Sequence, residues 1–258
     1  MKLEDRRQSI VDLLMEAGTV SLDAMSTRFG VSKMTIHRDL DELEAAGILR
    51  KVRGGASIET SLQFESDYHY RERRGAEAKR RIAQAAVEFV EPGMTILVAD
   101  GTTVGMLADL LAAKHPLTVI TNNMGVIARL LDVPGITLLA LGGTYSRKFN
   151  GFFGLVTEES LQGLRADLAF LSTPAVQGLS CFHMDPNVVR AKRRMIDCAT
   201  RALLLVDHSK FGRTSLYHLA DLASFEAVVT DDPLPADYST QLTDAGIQLH
   251  IAQEAGLL

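Results

Sequence analysis

Residues 29–40 read Phe-Gly-Val-Ser-Lys-Met-Thr-Ile-His-Arg-Asp-Leu, and this stretch decides the fold of the amino-terminal part of the chain. Gly30 ends one helical run and Ser32 is a good N-cap for the next, so the stretch predicts a tight turn between two helices. The apolar residues of the second helix recur every three or four positions, as Ile36, Leu40 and Leu43. Two helices joined in this way are predicted to form a helix-turn-helix unit.

Two flanking segments extend this unit. On the amino-terminal side, Ser21 is the predicted N-cap of the first helix of the pair, and an earlier helix ends at Gly18. On the carboxyl-terminal side the third helix ends at Gly47, and residues 50–56, Arg-Lys-Val-Arg-Gly-Gly-Ala, are basic and contain a Gly-Gly turn. We therefore predict a winged helix-turn-helix domain over residues 1–56.

The polar face of the third helix and the basic wing are the predicted contact with double-stranded DNA. Side chains at the start of such a helix reach base edges in the major groove, and a basic wing reaches phosphates. Three short helices with a capped turn also occur in bundles that do not bind DNA, so the wing is the observation that favours DNA. The predicted DNA-binding residues are Ser32, Lys33, Met34, Thr35, His37, Arg38, Arg50, Lys51 and Arg53.

The composition of the whole chain excludes several classes of protein. With 258 residues, 47% of them hydrophobic, the chain can bury a core and is not a disordered segment. No apolar run approaches 18 residues and the start is charged, so we expect neither a membrane span nor a secretory signal. Two cysteines without a C-x-x-C pair favour neither a disulfide scaffold nor a zinc site. We expect a cytoplasmic protein without a bound metal ion or cofactor.

A polar linker at 57–75 separates the first domain from a second domain at 76–258. After a predicted helix at 76–90, apolar strands alternate with helices, which predicts a mostly parallel sheet covered on both faces, an α/β architecture. The predicted strands are 94–99, 117–121, 136–141, 168–172, 202–206, 227–230 and 248–251.

Polar and glycine residues follow four of these strands. Parallel strands end at the same edge of a sheet, and open α/β sheets bind ligands at that edge. Two of the four loops open helices, whose free amide groups attract phosphate, and Lys210 adds a positive charge. Together these features predict a small anionic, polyhydroxylated ligand, although each of them alone also fits a turn, a helix cap or a solvated side chain. The predicted effector-binding residues are Asp100, Gly101, Thr102, Thr103, Thr121, Asn122, Asn123, Gly142, Gly143, Lys192, Asp207, Ser209 and Lys210.

Both halves of the chain resemble the DeoR family of bacterial transcription regulators. Residues 29–40 and 53–56 are similar to the family's winged helix-turn-helix, with His37 where the family usually has Arg. The second half is similar to the family's effector domain, whose fold is shared with ribose-5-phosphate isomerase, glucosamine-6-phosphate deaminase and CoA transferases. In that domain Val188 stands where relatives tend to carry Glu. The effector-domain motifs lie at 100–103, 121–123, 142–143 and 207–212.

The resemblance implies a repressor of carbohydrate or polyol metabolism genes that a phosphorylated sugar or polyol releases from operator DNA. It also agrees with a homo-oligomer, a dimer or tetramer, because two-fold partners reach two half-sites one helical turn apart. The alternative function is an isomerase- or deaminase-type enzyme with a DNA-binding appendage, for which Asp100 and Asp207 are the available carboxylates. A third possibility is a protein-binding adaptor, which the basic wing disfavours.

Overall fold

The computed structural model describes residues 3–45, 49–57 and 68–252. These residues form two compact units, Met1–Arg74 and Gly75–Leu258. The predicted helix end at Gly47 and residues 58–67 of the predicted linker lie outside the described residues.

The first unit is a winged helix-turn-helix, which confirms the predicted fold of this part. Its three strands are antiparallel, in the order β1-β3-β2. A helix that the sequence did not predict, α4, follows within the predicted linker. The elements of this unit are α1 (Leu3–Ala17), β1 (Thr19–Ser21), α2 (Leu22–Phe29), α3 (Lys33–Ala45), β2 (Arg50–Val52), β3 (Gly55–Ser57) and α4 (Tyr68–Arg73).

Local hydrogen bonds explain where α2 and α3 begin. The hydroxyl of Ser21 accepts a hydrogen bond from the backbone of Ala24 at 3.2 Å, and that of Ser32 accepts one from Thr35 at 3.1 Å. Gly30 ends α2 with a φ of 64°, a left-handed conformation that suits glycine. The core that these helices enclose contains the predicted apolar residues together with others from α1 and α2: Ile10, Leu14, Met25, Ile36, Leu40 and Leu43.

A buried acidic residue connects α3 to α1. The Asp39 side chain is 2% exposed, and its Oδ2 accepts a hydrogen bond from Arg6 Nε at 2.6 Å. Its Oδ1 accepts a second from Arg7 Nε at 3.3 Å. The hydrogen bond to Asp39 is the main reason why the pKa of Arg6 lies above its ordinary value. The position of α3 therefore depends on charge pairing as well as on apolar packing.

The second unit is an α/β domain, again as predicted. Its strands are β4 (Thr95–Val98), β5 (Leu117–Thr121), β6 (Ile136–Ala140), β7 (Thr144–Ser146), β8 (Gly151–Phe153), β9 (Ala166–Leu171), β10 (Ala175–Gln177), β11 (Ser180–His183), β12 (Ala199–Leu205), β13 (Tyr217–Asp221), β14 (Ala227–Thr230) and β15 (Gln248–Ile251). Its α-helices are α5 (Ala76–Val87), α6 (Thr102–Gly105), α7 (Leu107–Leu111), α8 (Met124–Leu130), α9 (Leu155–Gln162), α10 (Pro186–Cys198) and α11 (Ala236–Asp244).

Seven strands form one parallel sheet in the order β15-β14-β12-β9-β4-β5-β6. From β4 the chain proceeds outward through β5 to β6, and it then returns to place β9 on the other side of β4. The strand order reverses between β4 and β9, which makes their carboxyl ends the topological switch point of the sheet.

Apolar residues cover both faces of this sheet. Leu97 and Ile120 pack in one buried cluster with Met195 of α10. Val98 packs in a second cluster, with Ile82 of α5. The alternation of neighbouring residues between the two clusters is that expected of a strand buried on both sides.

Two antiparallel elements in the second unit were not predicted. Strands β7 and β8 form a hairpin, and β10, β11 and β13 form a separate three-stranded sheet. Their strands are three to five residues long, too short to show an alternating pattern that stands out from a loop. In the described part of the chain, no helix has the length and apolar character needed to cross a membrane.

Candidate functional site

The start of α3 presents an exposed polar face on the first unit. Ile36 and Leu40 point into the core and are fully buried. Met34, by contrast, leaves 65% of its surface exposed. Six predicted DNA-binding residues lie here. Four of them are exposed: Ser32, Lys33, Met34 and Arg38. The other two, Thr35 and His37, are half-buried.

Two of the predicted basic residues are paired within the unit. Lys33 forms an ion pair with Asp23 of α2, and Lys51 forms one with Asp41 of α3. The Lys51–Asp41 hydrogen bond raises the pKa of Lys51 and lowers that of Asp41. The backbone of Lys51 also donates to Glu44 Oε1 at 2.7 Å, which fixes the wing against α3.

The remaining basic residues of this surface are available for a partner. Within the described residues, no ion pair or side-chain hydrogen bond engages Arg38, Arg50 or Arg53. Arg53 lies at the turn between β2 and β3, beside Gly54 with its φ of 81°. The surface therefore offers one unpaired arginine on the helix and two on the wing.

In the second unit, the loops after β4 and β9 meet at the switch point. Gly101 has a φ of 128°, and a Cβ added there would lie 2.3 Å from the hydroxyl oxygen of Ser172. Lys192 extends from α10 to the same place, where its Nζ donates to the Ser172 carbonyl at 2.6 Å and lies 3.5 Å from Asp100 Oδ2. The side chains of Lys192 and Asp100 are 2% and 3% exposed. A buried ion pair thus bridges the two loops, and the buried Thr102 and Thr103 follow it at the start of α6.

Thr121 and Asn123, after β5, hold the β4 loop through hydrogen bonds. The Thr121 hydroxyl donates to the Val98 carbonyl at 2.6 Å and accepts from the Asn123 backbone at 3.0 Å. Asn123 Nδ2 donates to the carbonyl oxygens of Ala99 and Gly101, at 3.4 and 3.2 Å. Its Oδ1 accepts from two backbone amides at the start of α8, at 3.0 and 3.4 Å.

Asn122, between them, is bound to the β7–β8 hairpin. Its Nδ2 donates to the Phe152 carbonyl at 3.0 Å, and its own carbonyl accepts from the Phe152 backbone at 2.9 Å. The hairpin gains further support where the Met124 backbone donates to Asn150 at 2.9 Å and the Tyr145 hydroxyl donates to Asn150 Oδ1 at 2.8 Å. The hairpin consequently lies beside the carboxyl end of β5.

Val188 of α10 packs against the hairpin. It is fully buried in a cluster with Phe149, Phe153 and Ala191. The ring of His183 lies 5.4 Å from that of Phe149. The position at which we expected relatives to carry a carboxylate is therefore part of an apolar contact between α10 and the hairpin.

The glycines after β6 form the turn into β7. The hydroxyl of Thr157 donates to the Gly142 carbonyl at 2.6 Å. Gly143 has a φ of 137°, and a Cβ there would lie 2.4 Å from the same hydroxyl oxygen. In the structure these two glycines allow the chain to make a tight turn.

After β12, Asp207 organises a short 3-10 turn. Its Oδ1 accepts two hydrogen bonds from Ser209, one from the backbone amide at 3.1 Å and one from the side-chain hydroxyl. Lys210 Nζ lies 3.9 Å from Asp207 Oδ2. Since β12 is the neighbour of β9 while β6 is two strands beyond β4, the loop after β12 lies about 7 Å to one side of the switch point and the loop after β6 about 12 Å to the other. All four predicted loops share one edge of the sheet, and hydrogen bonds link those after β4 and β5.

A cluster that the sequence did not predict lies next to the Asp207 turn. Asp231, after β14, accepts hydrogen bonds from the His208 backbone at 2.8 Å and is 2.9 Å from His208 Nδ1. Burial acts to raise the pKa of Asp231, but the hydrogen bonds from His208 outweigh it and lower that pKa. Arg81 Nη2 lies 3.4 Å from Asp232 Oδ1 and adds a positive charge to this cluster of side chains. His208, Asp231 and Asp232 have metal-ligand spacing, but the arginine beside them makes this an ion-pair cluster.

Ser172 was also missed as a site residue. The sequence placed it at the end of a predicted strand, but nothing local in the sequence shows that this strand lies beside β4. A signal existed in Lys192, a lysine on the buried side of a predicted helix, since a buried lysine requires a partner.

A winged helix-turn-helix with an exposed basic face, followed by an α/β unit with polar residues at its switch point, defines a DNA-binding transcription regulator. The family model of the DeoR-like helix-turn-helix domain matches residues 6–62, and that of the DeoR C terminal sensor domain matches residues 74–232. The chain belongs to the DeoR family.

Two relatives illustrate this similarity. The chain is 33% identical over 255 residues to a putative aga operon transcriptional repressor of Escherichia coli O157:H7, covering 97% of this chain and 94% of the relative. It is 31% identical over 252 residues to the glycerol-3-phosphate regulon repressor of Escherichia coli K12, covering 97% and 100%. Among solved structures, ribose 5-phosphate isomerase A of Methanocaldococcus jannaschii shares 18% identity over 53% of this chain and 54% of that chain, with a TM-score of 0.40.

Proposed function

We propose that this regulator is a repressor of carbohydrate or polyol metabolism genes and that a phosphorylated sugar or polyol releases it from operator DNA. The observation that carries the proposal is the switch point of the sensor unit, where the buried Lys192–Asp100 pair and the loops after β4 and β5 converge. The names of the two relatives support repression, and one of them names a polyol phosphate regulon.

On the DNA side, α3 enters the major groove and the wing contacts phosphates. Arg38 reads a base edge, since arginine is the residue that most often contacts guanine. The exposed thioether of Met34 suits contact with a thymine methyl group. Arg50 and Arg53 contact phosphates, and the other predicted residues of the surface contribute to its position on the duplex: Ser32, Lys33, Thr35, His37 and Lys51.

On the effector side, the phosphate lies near Lys210 and the Asp100–Thr103 loop, and Asp100 contacts a hydroxyl group. The remaining predicted residues shape the site around these groups: Thr121, Asn122, Asn123, Gly142, Gly143, Lys192, Asp207 and Ser209. The ligand binds more tightly to a state with poorer DNA affinity, because a ligand with equal affinity for both states shifts nothing. The protein acts in the cytoplasm, where operator DNA is found.

A substitution at Lys210 tests the effector half of this proposal. In a gel-shift assay with the DNA upstream of the gene, Lys210→Ala should bind normally but resist release by the panel compounds glycerol 3-phosphate, ribose 5-phosphate, glucose 6-phosphate and galactose 6-phosphate. Lys114→Ala is the matched control, because Lys114 is also in an ion pair, 3.7 Å from Glu88, but precedes β5 and so lies at the opposite edge of the sheet. Release of both variants at the wild-type ligand concentration would show that the phosphate site is elsewhere, and tighter DNA binding with ligand would contradict release by the ligand.

The proposal includes a homo-oligomer, a dimer or tetramer. One winged unit covers a small DNA footprint, and two-fold partners reach two half-sites about one helical turn apart. Light scattering at micromolar concentration, with and without DNA, should give a mass at least twice that of the chain. A monomer under both conditions would contradict this part of the proposal.

A further inference from the structure

We propose that the adjacent residues Asn122 and Asn123 have different roles at the effector site. Asn122 Oδ1 accepts a hydrogen bond from a hydroxyl group of the effector, while Asn123 positions the loops and does not touch the effector. The inference rests on the proposed function and deepens it, because it states which end of a phosphorylated sugar or polyol lies at β5.

Asn123 has no hydrogen-bonding capacity left for a ligand. Both Nδ2 protons are directed to carbonyl oxygens, those of Ala99 and Gly101. Its Oδ1 accepts two backbone hydrogen bonds from α8. A side-chain amide offers two donors and two acceptor lone pairs, so the four hydrogen bonds use all of them. Asn123 is therefore a positioning residue.

Asn122 differs from Asn123 in its side-chain oxygen, which has no hydrogen-bond partner among the described residues. The side chain is fully buried, and its Nδ2 donates to the Phe152 carbonyl. That contact fixes the orientation of the amide, because a carbonyl oxygen only accepts hydrogen bonds. Oδ1 is then left buried without a hydrogen-bond partner among the described residues. Buried acceptors of this kind are rare in folded proteins, and each calls for a donor that completes it.

The position of Asn122 places this acceptor on the effector side of the sheet. Asn122 directly follows β5, and continuing the alternation of side chains along that strand puts Asn122 on the same face as Ile120. Ile120 packs in the cluster that contains Met195 of α10. Lys192 extends from this same helix to the switch point, and the hairpin residue Phe152 flanks Asn122. The unsatisfied oxygen thus belongs to the region bounded by the β4 loop, α10 and the hairpin.

The chemistry of the acceptor determines which part of the ligand it can meet. A phosphate group near neutral pH presents mainly acceptor oxygens and cannot satisfy another acceptor. A sugar or polyol hydroxyl carries a donor proton and can do so. The effector therefore binds with a hydroxyl-bearing carbon at Asn122 and its phosphate away from β5.

Two nearly isosteric variants of the full chain test this assignment. Asn122→Leu removes the acceptor, Asn122→Asp keeps an acceptor, and both lose the amide donor that binds the Phe152 carbonyl. The measured quantity is the ratio of two affinities, for the tightest binder of the four-compound panel and for inorganic phosphate, obtained from thermal-shift titrations. Taking a ratio cancels added repulsion of phosphate, since it acts on both probes. The Asp variant controls for loosening of the hairpin, because it loses the same amide donor to Phe152.

We expect the Leu variant to lower the ratio about tenfold and the Asp variant to leave it within about threefold of wild type. Asn123→Asp, which keeps the α8 cap but not the donation to Ala99 and Gly101, should weaken both probes and leave the ratio unchanged. An unchanged ratio in the Leu variant, with wild-type protein that binds the panel compound, would overturn the inference alone. Wild-type protein that binds no panel compound would instead overturn the proposed function, and this inference with it.

Discussion

Both units bury an ion pair, but they do so in different relation to their candidate binding residues. In the winged unit Asp39 is buried against Arg6, whereas the neighbouring Arg38, a candidate DNA contact, is exposed. In the sensor unit the buried pair of Lys192 and Asp100 lies within the candidate site itself.

The size of the partner accounts for this difference. Duplex DNA is larger than the winged unit and is approached from outside, so its contacts can stand on the surface of a finished fold. A small ligand gains specificity by being enclosed, so the residues around it are also residues that join strands, helices and loops. We expect substitutions in the first site to change binding alone and those in the second to change binding and stability together.

The largest effect is expected on the stability of the winged unit, at a buried residue that lies outside its candidate DNA-binding surface. Asp39→Ala leaves Arg6 and Arg7 without their buried acceptor and should lower the free energy of unfolding of this unit by about 3 kcal/mol. Urea denaturation of the full chain would measure it, with Asp41→Ala as the control because that exposed carboxylate lies on the same helix. A stable Asp39→Ala protein would show that apolar packing alone positions α3.

In the sensor unit, Gly101→Ala should reduce stability and ligand response together. The new Cβ would meet the Ser172 hydroxyl, and the φ of 128° disfavours any side chain, so a loss of about 1–3 kcal/mol is expected. Gly163→Ala is the control, because its backbone is helical and no atom lies within 4 Å of its added Cβ. Normal ligand response in a destabilised Gly101→Ala protein would separate the two properties and break the comparison.

Arg38→Ala should affect binding only. We expect a loss of about 1–3 kcal/mol in affinity for the specific operator and no change in melting temperature. Arg28→Ala, an exposed arginine on α2, is the control and should not alter discrimination between operator and unrelated DNA. If both variants lose affinity equally for all DNA, Arg38 is a phosphate contact and not a base contact.

The wing allows a finer test of which basic residues contact DNA phosphates. Arg53→Ala should weaken binding to every DNA sequence and reduce the slope of log affinity against log salt by about 0.9. Lys51→Ala should also weaken it, but by less, because Lys51 is already paired with Asp41. Filter binding over a salt series would measure both slopes, and equal slopes would mean that the Lys51–Asp41 pair opens on DNA.

The smallest effect concerns acid stability in the sensor unit. Because the pKa of Asp231 is lowered in the folded state, its contribution is present above the unfolded value of about 3.9 and disappears as the pH falls through the folded value. Between pH 6 and pH 3 the melting temperature of Asp231→Asn should therefore fall about 2 °C less than that of wild type. The exposed Asp237→Asn should follow the wild-type curve, and a matching curve for Asp231→Asn would contradict the role given to His208.

How far the sequence predicted each unit depends on whether the information is local. The caps at Ser21 and Ser32 and the spacing of Ile36 and Leu40 act over a few residues, so the helix-turn-helix was predictable. The switch point was not, because it depends on the pairing of Ile96 with Leu168, which no local pattern encodes.

Within the site the same distinction applies to single residues. The sequence identified Thr121 and Asn123 as polar residues at the right edge of the sheet, but it did not show that their hydrogen-bonding groups are directed to β4 and α8. The hairpin strands are also too short to show an alternating pattern in the sequence. The apolar contact between Phe153 and Val188 therefore could not be predicted.

The strand order also has a consequence for the order in which the chain acquires its abilities during synthesis. The winged unit is complete once Arg74 has been made, and its Thr19–Ser57 strand pair joins residues that are closer in sequence than the Ile96–Leu168 pair at the switch point, which favours earlier folding. The switch point has only one of its two walls until β9 emerges and pairs with β4, some hundred residues later. A nascent chain, or one truncated before β9, therefore has a complete DNA-reading unit and an unfinished sensor, so that loss of the carboxyl-terminal part would favour a protein that occupies DNA and does not respond to ligand.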